Sequence, residues 1–169
     1  VAASGDQTID GLLSGSKWAL SDLTFSFPSS ALLYEYTGEA QSSFEQLSLL
    51  QRSAVRQALD MFSSVADVRF TETMETQTNH ADMRFAMSDV PATAWAYYPH
   101  GSPQGGDTWF HNTGGAYDRP LKGTYAFHTV LHEIGHALGL KHGHEEGLYG
   151  ALPAEVDSNE FSLMTYRSY

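Results

Sequence analysis

The stretch His132-Glu133-Ile134-Gly135-His136-Ala137-Leu138-Gly139-Leu140-Lys141-His142 reads H-E-x-x-H-x-x-G-x-x-H. Two histidines four apart on a helix lie one above the other on the same face, so one divalent metal can bridge their imidazoles. Glu133 follows the first histidine and is rotated partly off that face. It is placed to hydrogen-bond a water on the metal rather than to ligate it. Gly139, three residues after His136, tolerates the left-handed conformation that ends helices. A turn there returns His142 toward the metal as a third ligand. Each residue type has its own task, and together they point to one catalytic zinc ion. A chance grouping in a chain with eight histidines does not account for the spacing. Glu155 and Glu160 are rival third ligands, but that reading leaves Gly139 and His142 without a role.

Composition narrows the field. The 169 residues suit one domain spanning 1–169, long enough to bury a core. A net charge of −11 without a basic cluster argues against nucleic acid. The absence of cysteine excludes disulfides and thiolate zinc sites. No apolar run approaches a membrane span. The chain opens on Val1 rather than Met, as a processed product would.

Residues 1–20 read as a loose N-terminal arm with Leu12, Leu13 and Trp18 as anchors. Leu23, Phe25 and Phe27 alternate with polar residues, which predicts a half-buried strand stopped by Pro28. Residues 29–41 read as a loop with Tyr34 and Tyr36 at its surface. From Ser42 the period becomes helical through Val65. Ser42 as cap and Glu45 as capping-box partner predict a helix of about twenty residues. Val68–Glu72 and Ala81–Met87 read as strands, and the order strand, helix, strand, strand implies a mixed sheet with a right-handed crossover. His80, just before the second of these strands, reads as a loop histidine. Thr93–Tyr98, between Pro91 and Pro99, has the character of an edge strand able to accept an extended peptide. Asp107–His111 reads as a further strand. Asp107 with Gly105 and Gly106 is a calcium candidate, although a structural carboxylate is the favoured reading. Thr124–Leu140 is the zinc helix, capped by Thr124, with Phe127, Val130, Leu131, Ile134, Ala137 and Leu138 on its apolar face. His128 shares the face of His132 but is the less economical ligand. The span 21–140 thus holds sheet and helices, and 141–169 forms a short C-terminal part.

The zinc motif, followed about twenty residues later by Ser162-Leu163-Met164-Thr165-Tyr166, resembles the signature of the metzincin metallopeptidases, whose methionine turn lies there. Tyr166 two residues after Met164, the wording HEIGHALGLKH, the segment Gly105-Gly106-Asp107-Thr108-Trp109-Phe110 and Ile9-Asp10-Gly11-Leu12-Leu13-Ser14-Gly15 are most similar to the serralysins. The resemblance implies an α/β (α+β) fold. Its parts are a twisted, mostly parallel five-stranded sheet with an antiparallel edge strand, two long helices and a C-terminal Met-turn. It implies a secreted, monomeric zinc endopeptidase acting on protein or peptide substrates, with calcium and a proteinaceous inhibitor as further expected partners. Glu133 is the expected general base. Tyr166 is the expected displaceable zinc ligand and oxyanion donor. Met164 is the expected apolar floor, and Ala94, Trp95, Ala96 and Tyr97 the expected substrate-pairing strand. Serralysins usually carry proline where this chain has Gly143, and they commonly continue into glycine-rich calcium repeats. A different class, a non-catalytic zinc-binding or adhesion module derived from a protease, leaves Glu133 unexplained.

Overall fold

The computed structural model describes residues 1–38 and 41–168; residues 39–40 of the expected loop lie outside them. The elements in chain order are α1 (Gln7–Asp10), β1 (Asp22–Ser26), α2 (Leu49–Ser63), β2 (Arg69–Glu72), β3 (Met83–Ser88), β4 (Ala94–Ala96), β5 (Thr108–His111) and α3 (Tyr125–Ala137), with one 3-10 turn at Ala31–Leu33. The five strands form one sheet in the order β2-β1-β3-β5-β4. All neighbours are parallel except β4, which runs antiparallel on β5 with Trp95 opposite Trp109. This is the expected mostly parallel sheet with an antiparallel edge. The two long helices are also as expected.

Strand β3 positions everything else. Its alternating side chains divide two packed regions, as the pleat requires. Met83, Phe85 and Met87 join the main core with residues of α2 and α3 such as Val55, Leu59, Val130 and Ile134. Ala86 packs with Trp109 and Tyr34 in a second cluster. All six residues of β3 are buried, as is usual for a parallel strand covered on both faces. Arg84 is therefore 2% exposed. Its guanidinium is held by Asp107 in a two-point pair, Nε to Oδ1 at 2.7 Å and Nη2 to Oδ2 at 2.9 Å. Tyr36 donates to Asp107 Oδ2 at 2.6 Å, and the Tyr34 ring lies 4.6 Å from the guanidinium carbon. Asp107 is thus the structural carboxylate, with both oxygens taken, and Tyr34 is a buried wall rather than a surface residue.

Two further sequence expectations fail for physical reasons. The first long helix begins at Leu49 rather than near Ser42. Ser48 is its cap, and the Gln51 side chain completes the capping box. Glu45 instead exchanges two backbone hydrogen bonds with Met87, both 2.9 Å, so 44–47 runs extended beside β3. The helical spacing of Phe44 and Leu47 is real, but Phe44 packs on the Tyr34 and Trp109 rings and Leu47 enters the core. The N-terminal arm is not loose. Leu13 bridges Leu140, Lys141 N donates to Leu12 O at 2.8 Å, Ser14 N donates to Gly139 O at 3.0 Å, and the Trp18 indole donates to Ala137 O at 2.9 Å. The arm covers the end of α3 and supplies partners for carbonyls that a helix leaves open there.

Removing Asp107 takes away the two-point partner of the buried guanidinium and leaves only Glu75, 3.5 Å from Nη1, so Asp107→Ala should lower unfolding stability by about 3 kcal/mol, read as a reduced urea midpoint. Asp22→Ala, which breaks only the exposed pair with Arg69, should leave that midpoint unchanged.

Candidate metal centre

Thr124 caps α3 by accepting from Phe127 N, and the helix carries His132, Glu133 and His136 in its buried last turns. It stops where Gly139 adopts φ +105°. A Cβ at Gly139 would also strike the Ser16 carbonyl, so both conformation and space demand glycine. The chain then doubles back, and His142 arrives beside the helical pair. One ligand atom from each of His132, His136 and His142 lies within 4.8 Å of the others. His142 Nε2 stands 3.0 Å from His136 Nε2 and 3.1 Å from His132 Nε2.

The opposite ring nitrogens decide what these contacts mean. His132 Nδ1 faces the Leu163 carbonyl at 2.9 Å, His136 Nδ1 the Leu140 carbonyl at 2.7 Å, and His142 Nδ1 a Glu145 carboxylate oxygen at 2.7 Å. All three partners are acceptors, so each Nδ1 carries a hydrogen, and in the neutral ring that tautomer leaves Nε2 with a lone pair. Burial pushes His132 and His136 down to about 4, so both are neutral near pH 7. Nε2 lone pairs at 3 Å repel unless a hydrogen or a cation lies between them, and three converging imidazoles with one open position suit tetrahedral zinc. The residues fit the metal.

Around this point the structure assembles a cleft of about 250 Å³ lined by Ala94, Trp95, Ala96, Tyr98, Glu133, His136, His142 and Tyr166. Glu133 is buried, and burial pushes its carboxyl up to about 8. Its Oε2 has no hydrogen-bond partner, which leaves an acceptor facing a polar task. The Tyr166 hydroxyl donates to His142 Nε2 at 2.6 Å, and its ring stacks on His132 at 5.6 Å. Tyr166 is largely exposed, but partial desolvation of its hydroxyl, with Glu133 and Glu145 nearby, raises the phenol above its ordinary value, so it stays a donor. Met164 is 1% exposed, and its sulfur would lie 2.5 Å from a Cβ at Gly135. Gly135, at a variable position inside the motif, thus makes room for the methionine turn under the helix. Gly143 N donates to Met164 O at 3.0 Å, a bond that proline at this position lacks the N–H to make.

Of the sequence candidates, His132, Glu133, His136, His142, Tyr166 and the strand Ala94–Ala96 come together. Glu155 and Glu160 are exposed and belong to no group of converging ligands among the described residues. His128 stands 6.2 Å from His132 ring to ring and lines a neighbouring groove with Met61, Phe127 and Leu131. His80 is paired with Glu75 at 2.7 Å. Tyr98, rather than Tyr97, lines the cleft and sets its ring edge-on to His136 at 5.6 Å. Strand alternation links Trp95 with Tyr97, but β4 ends at Ala96, so that parity does not extend to the tyrosines.

The matrixin peptidase family matches residues 26–165. The chain belongs to that family. Among curated proteins this matrixin is similar to Serralysin C of Dickeya chrysanthemi, 31% identical over 159 residues, which cover 87% of this chain and 33% of that protein. Metallopeptidase AprA of Pseudomonas marginalis is 31% identical over 157 residues, covering 87% and 33%. Serralysin A of Dickeya chrysanthemi is 30% identical over 154 residues, covering 87% and 32%. The chain spans about a third of the length of these relatives. The serralysin-like metzincin resemblance read from the motif is therefore supported over most of this chain. No helix among the described residues is long and apolar enough to cross a membrane.

In this matrixin the turn after α3 tolerates no side chain. Gly139→Ala should destabilise the fold by about 1–3 kcal/mol from the backbone strain alone, with a further loss from the Ser16 clash. A lowered thermal midpoint together with weakened zinc binding would bear this out.

Proposed function

We propose that this chain is a zinc-dependent endopeptidase unit that hydrolyses peptide bonds of extended protein substrates. The observation that carries the reading is the convergence of three histidine Nε2 atoms beside a buried carboxylate whose Oε2 has no partner, in a cleft open to an edge strand. His132, His136 and His142 would hold the metal. When bound, zinc acidifies a water at the open position and polarises the scissile carbonyl.

The chain's own residues account for the rest. An extended peptide pairs antiparallel with β4, whose outer edge is free of any strand among the described residues. Ala94, Trp95 and Ala96 supply that edge, Tyr97 lies just beyond it, and Tyr98 lines the cleft. Glu133 takes the proton from the attacking water as its oxygen bonds to the carbonyl carbon. A desolvated carboxyl holds that proton well, while a nearby divalent cation favours the ionised form beforehand. Glu133 then delivers the proton to the leaving amine as the C–N bond breaks. Tyr166, within hydrogen-bond reach of His142 Nε2, would be an added ligand when the metal is bound, and its hydroxyl would donate to the carbonyl oxygen as that oxygen gains negative charge. Met164 forms the apolar floor. The groove shared by Phe127, Leu131 and Tyr166 offers a place for an apolar side chain beyond the scissile bond. The domain assignment 1–169, a secreted setting, a monomeric state and a proteinaceous inhibitor follow from the serralysin resemblance and form part of this proposal. A non-catalytic zinc module would have no use for a buried carboxylate at Glu133.

Glu133→Ala should retain one zinc per chain yet lose casein cleavage, and cleavage persisting in a zinc-loaded variant would refute the base assignment. Tyr166→Phe should retain zinc and lower kcat about 10²–10³-fold, with a smaller change in KM. Treatment with a zinc chelator should abolish wild-type cleavage, and added zinc should restore it.

A further inference from the structure

Lys141 and Glu145 flank the third histidine, and neither has a role in the chemistry above. His132 and His136 are held by helix α3 and give their Nδ1 hydrogens to main-chain carbonyls. His142 lies beyond the helix, three residues after Gly139, so no helical backbone sets its angle. It alone of the three gives its Nδ1 hydrogen to a charged acceptor, Glu145 Oε1 at 2.7 Å. Glu145 N in turn donates to His142 O at 3.2 Å, which closes a tight turn. Lys141, 4% exposed, directs its ammonium at carbonyls on both sides of that turn. It donates to Glu145 O at 2.7 Å, to His142 O at 3.4 Å and to Gly11 O of the N-terminal arm. Three donors meet three acceptors, as an ammonium requires when buried. Gly147 passes so close that a Cβ there would lie 2.8 Å from Lys141 Cε, which confines the lysine stem.

We propose that Glu145 is the positioning residue of the third metal-binding imidazole, and that Lys141 anchors the turn carrying both to the N-terminal arm. This rests on the zinc reading of the three histidines. A carboxylate on Nδ1 fixes the tautomer that leaves Nε2 bare, sets the ring plane and raises the basicity of the ligand. His142 needs this more than its partners because its backbone is not helical. His144 is the competing partner for Glu145. Its exposed ring stacks on His142 at 5.5 Å, and His142, His144 and Glu145 offer ligand atoms within 4.8 Å of one another. Glu145 is already engaged by the His142 N–H, so the trio acts to orient a ligand and not to seat a second ion.

The test measures zinc affinity of the full chain by competition with a chromophoric chelator, together with zinc stoichiometry and the absorption spectrum of the cobalt-substituted protein. Glu145→Ala should weaken zinc binding about 10–100-fold and alter the cobalt spectrum. Glu145→Gln, which keeps an oxygen acceptor, should recover most of that affinity, and Lys141→Met should weaken binding in the same direction. His144→Ala should bind one zinc as the wild type does. Wild-type zinc binding with an undiminished Glu145→Ala variant overturns the role of Glu145 alone, and an undiminished Lys141→Met variant overturns the anchor. A second zinc lost in both Glu145→Ala and His144→Ala assigns Glu145 to a second metal seat instead and overturns its positioning role. A wild type that binds no zinc overturns the metal reading and this proposal with it.

Discussion

Three imidazoles whose Nδ1 hydrogens are all committed elsewhere constrain everything around them. Once Leu163, Leu140 and Glu145 accept those hydrogens, the three Nε2 atoms turn toward one another, an arrangement that suits a bound cation. The acceptors come from three places: the turn before Met164, the residue after Gly139, and the turn after His142. The centre is therefore not a property of the helix alone. It requires the methionine turn to lie under α3 and the chain to reverse at Gly139, and each requirement excludes a side chain at a glycine of the motif.

The rest of the fold holds these pieces in register. Strand β3 separates the helix-packed core from a second cluster in which Arg84 and Asp107 are buried together. Such a pair contributes little net stability compared with apolar packing, but its loss is severe because one charge would remain buried. The Asp107 carbonyl accepts from Tyr97 N at 2.9 Å, so the residue that neutralises Arg84 also ties down the end of the edge strand bordering the cleft. The N-terminal arm works from the opposite side. By bridging Leu140 and accepting from Lys141, it supports the segment between helix and third histidine.

Much of the site was legible in the chain because its chemistry is local. His132, Glu133 and His136 lie within one helical turn and a fraction, and the glycine that ends the helix sits at a fixed offset. The strands around Leu23 and Phe85 also showed themselves by period. The start of the first long helix did not. Ser42 with Glu45 and Ser48 with Gln51 are both acceptable caps, and the choice fell to the two hydrogen bonds between Glu45 and Met87, a contact between residues more than forty apart. Likewise nothing in the spacing of Tyr97 and Tyr98 says which one faces the cleft, since β4 ends between Ala96 and that pair.

What the sequence determined by itself was the kind of candidate centre: residue types, spacing and the need for a left-handed turn specify three converging histidines with a carboxylate beside them. What the tertiary structure decided was the state of each group. Burial makes His132 and His136 neutral and raises Glu133, and partners distant in sequence choose each tautomer. Helical geometry is encoded within a few residues, whereas desolvation and hydrogen-bond partnership arise only when segments far apart in the chain exclude water from the same place.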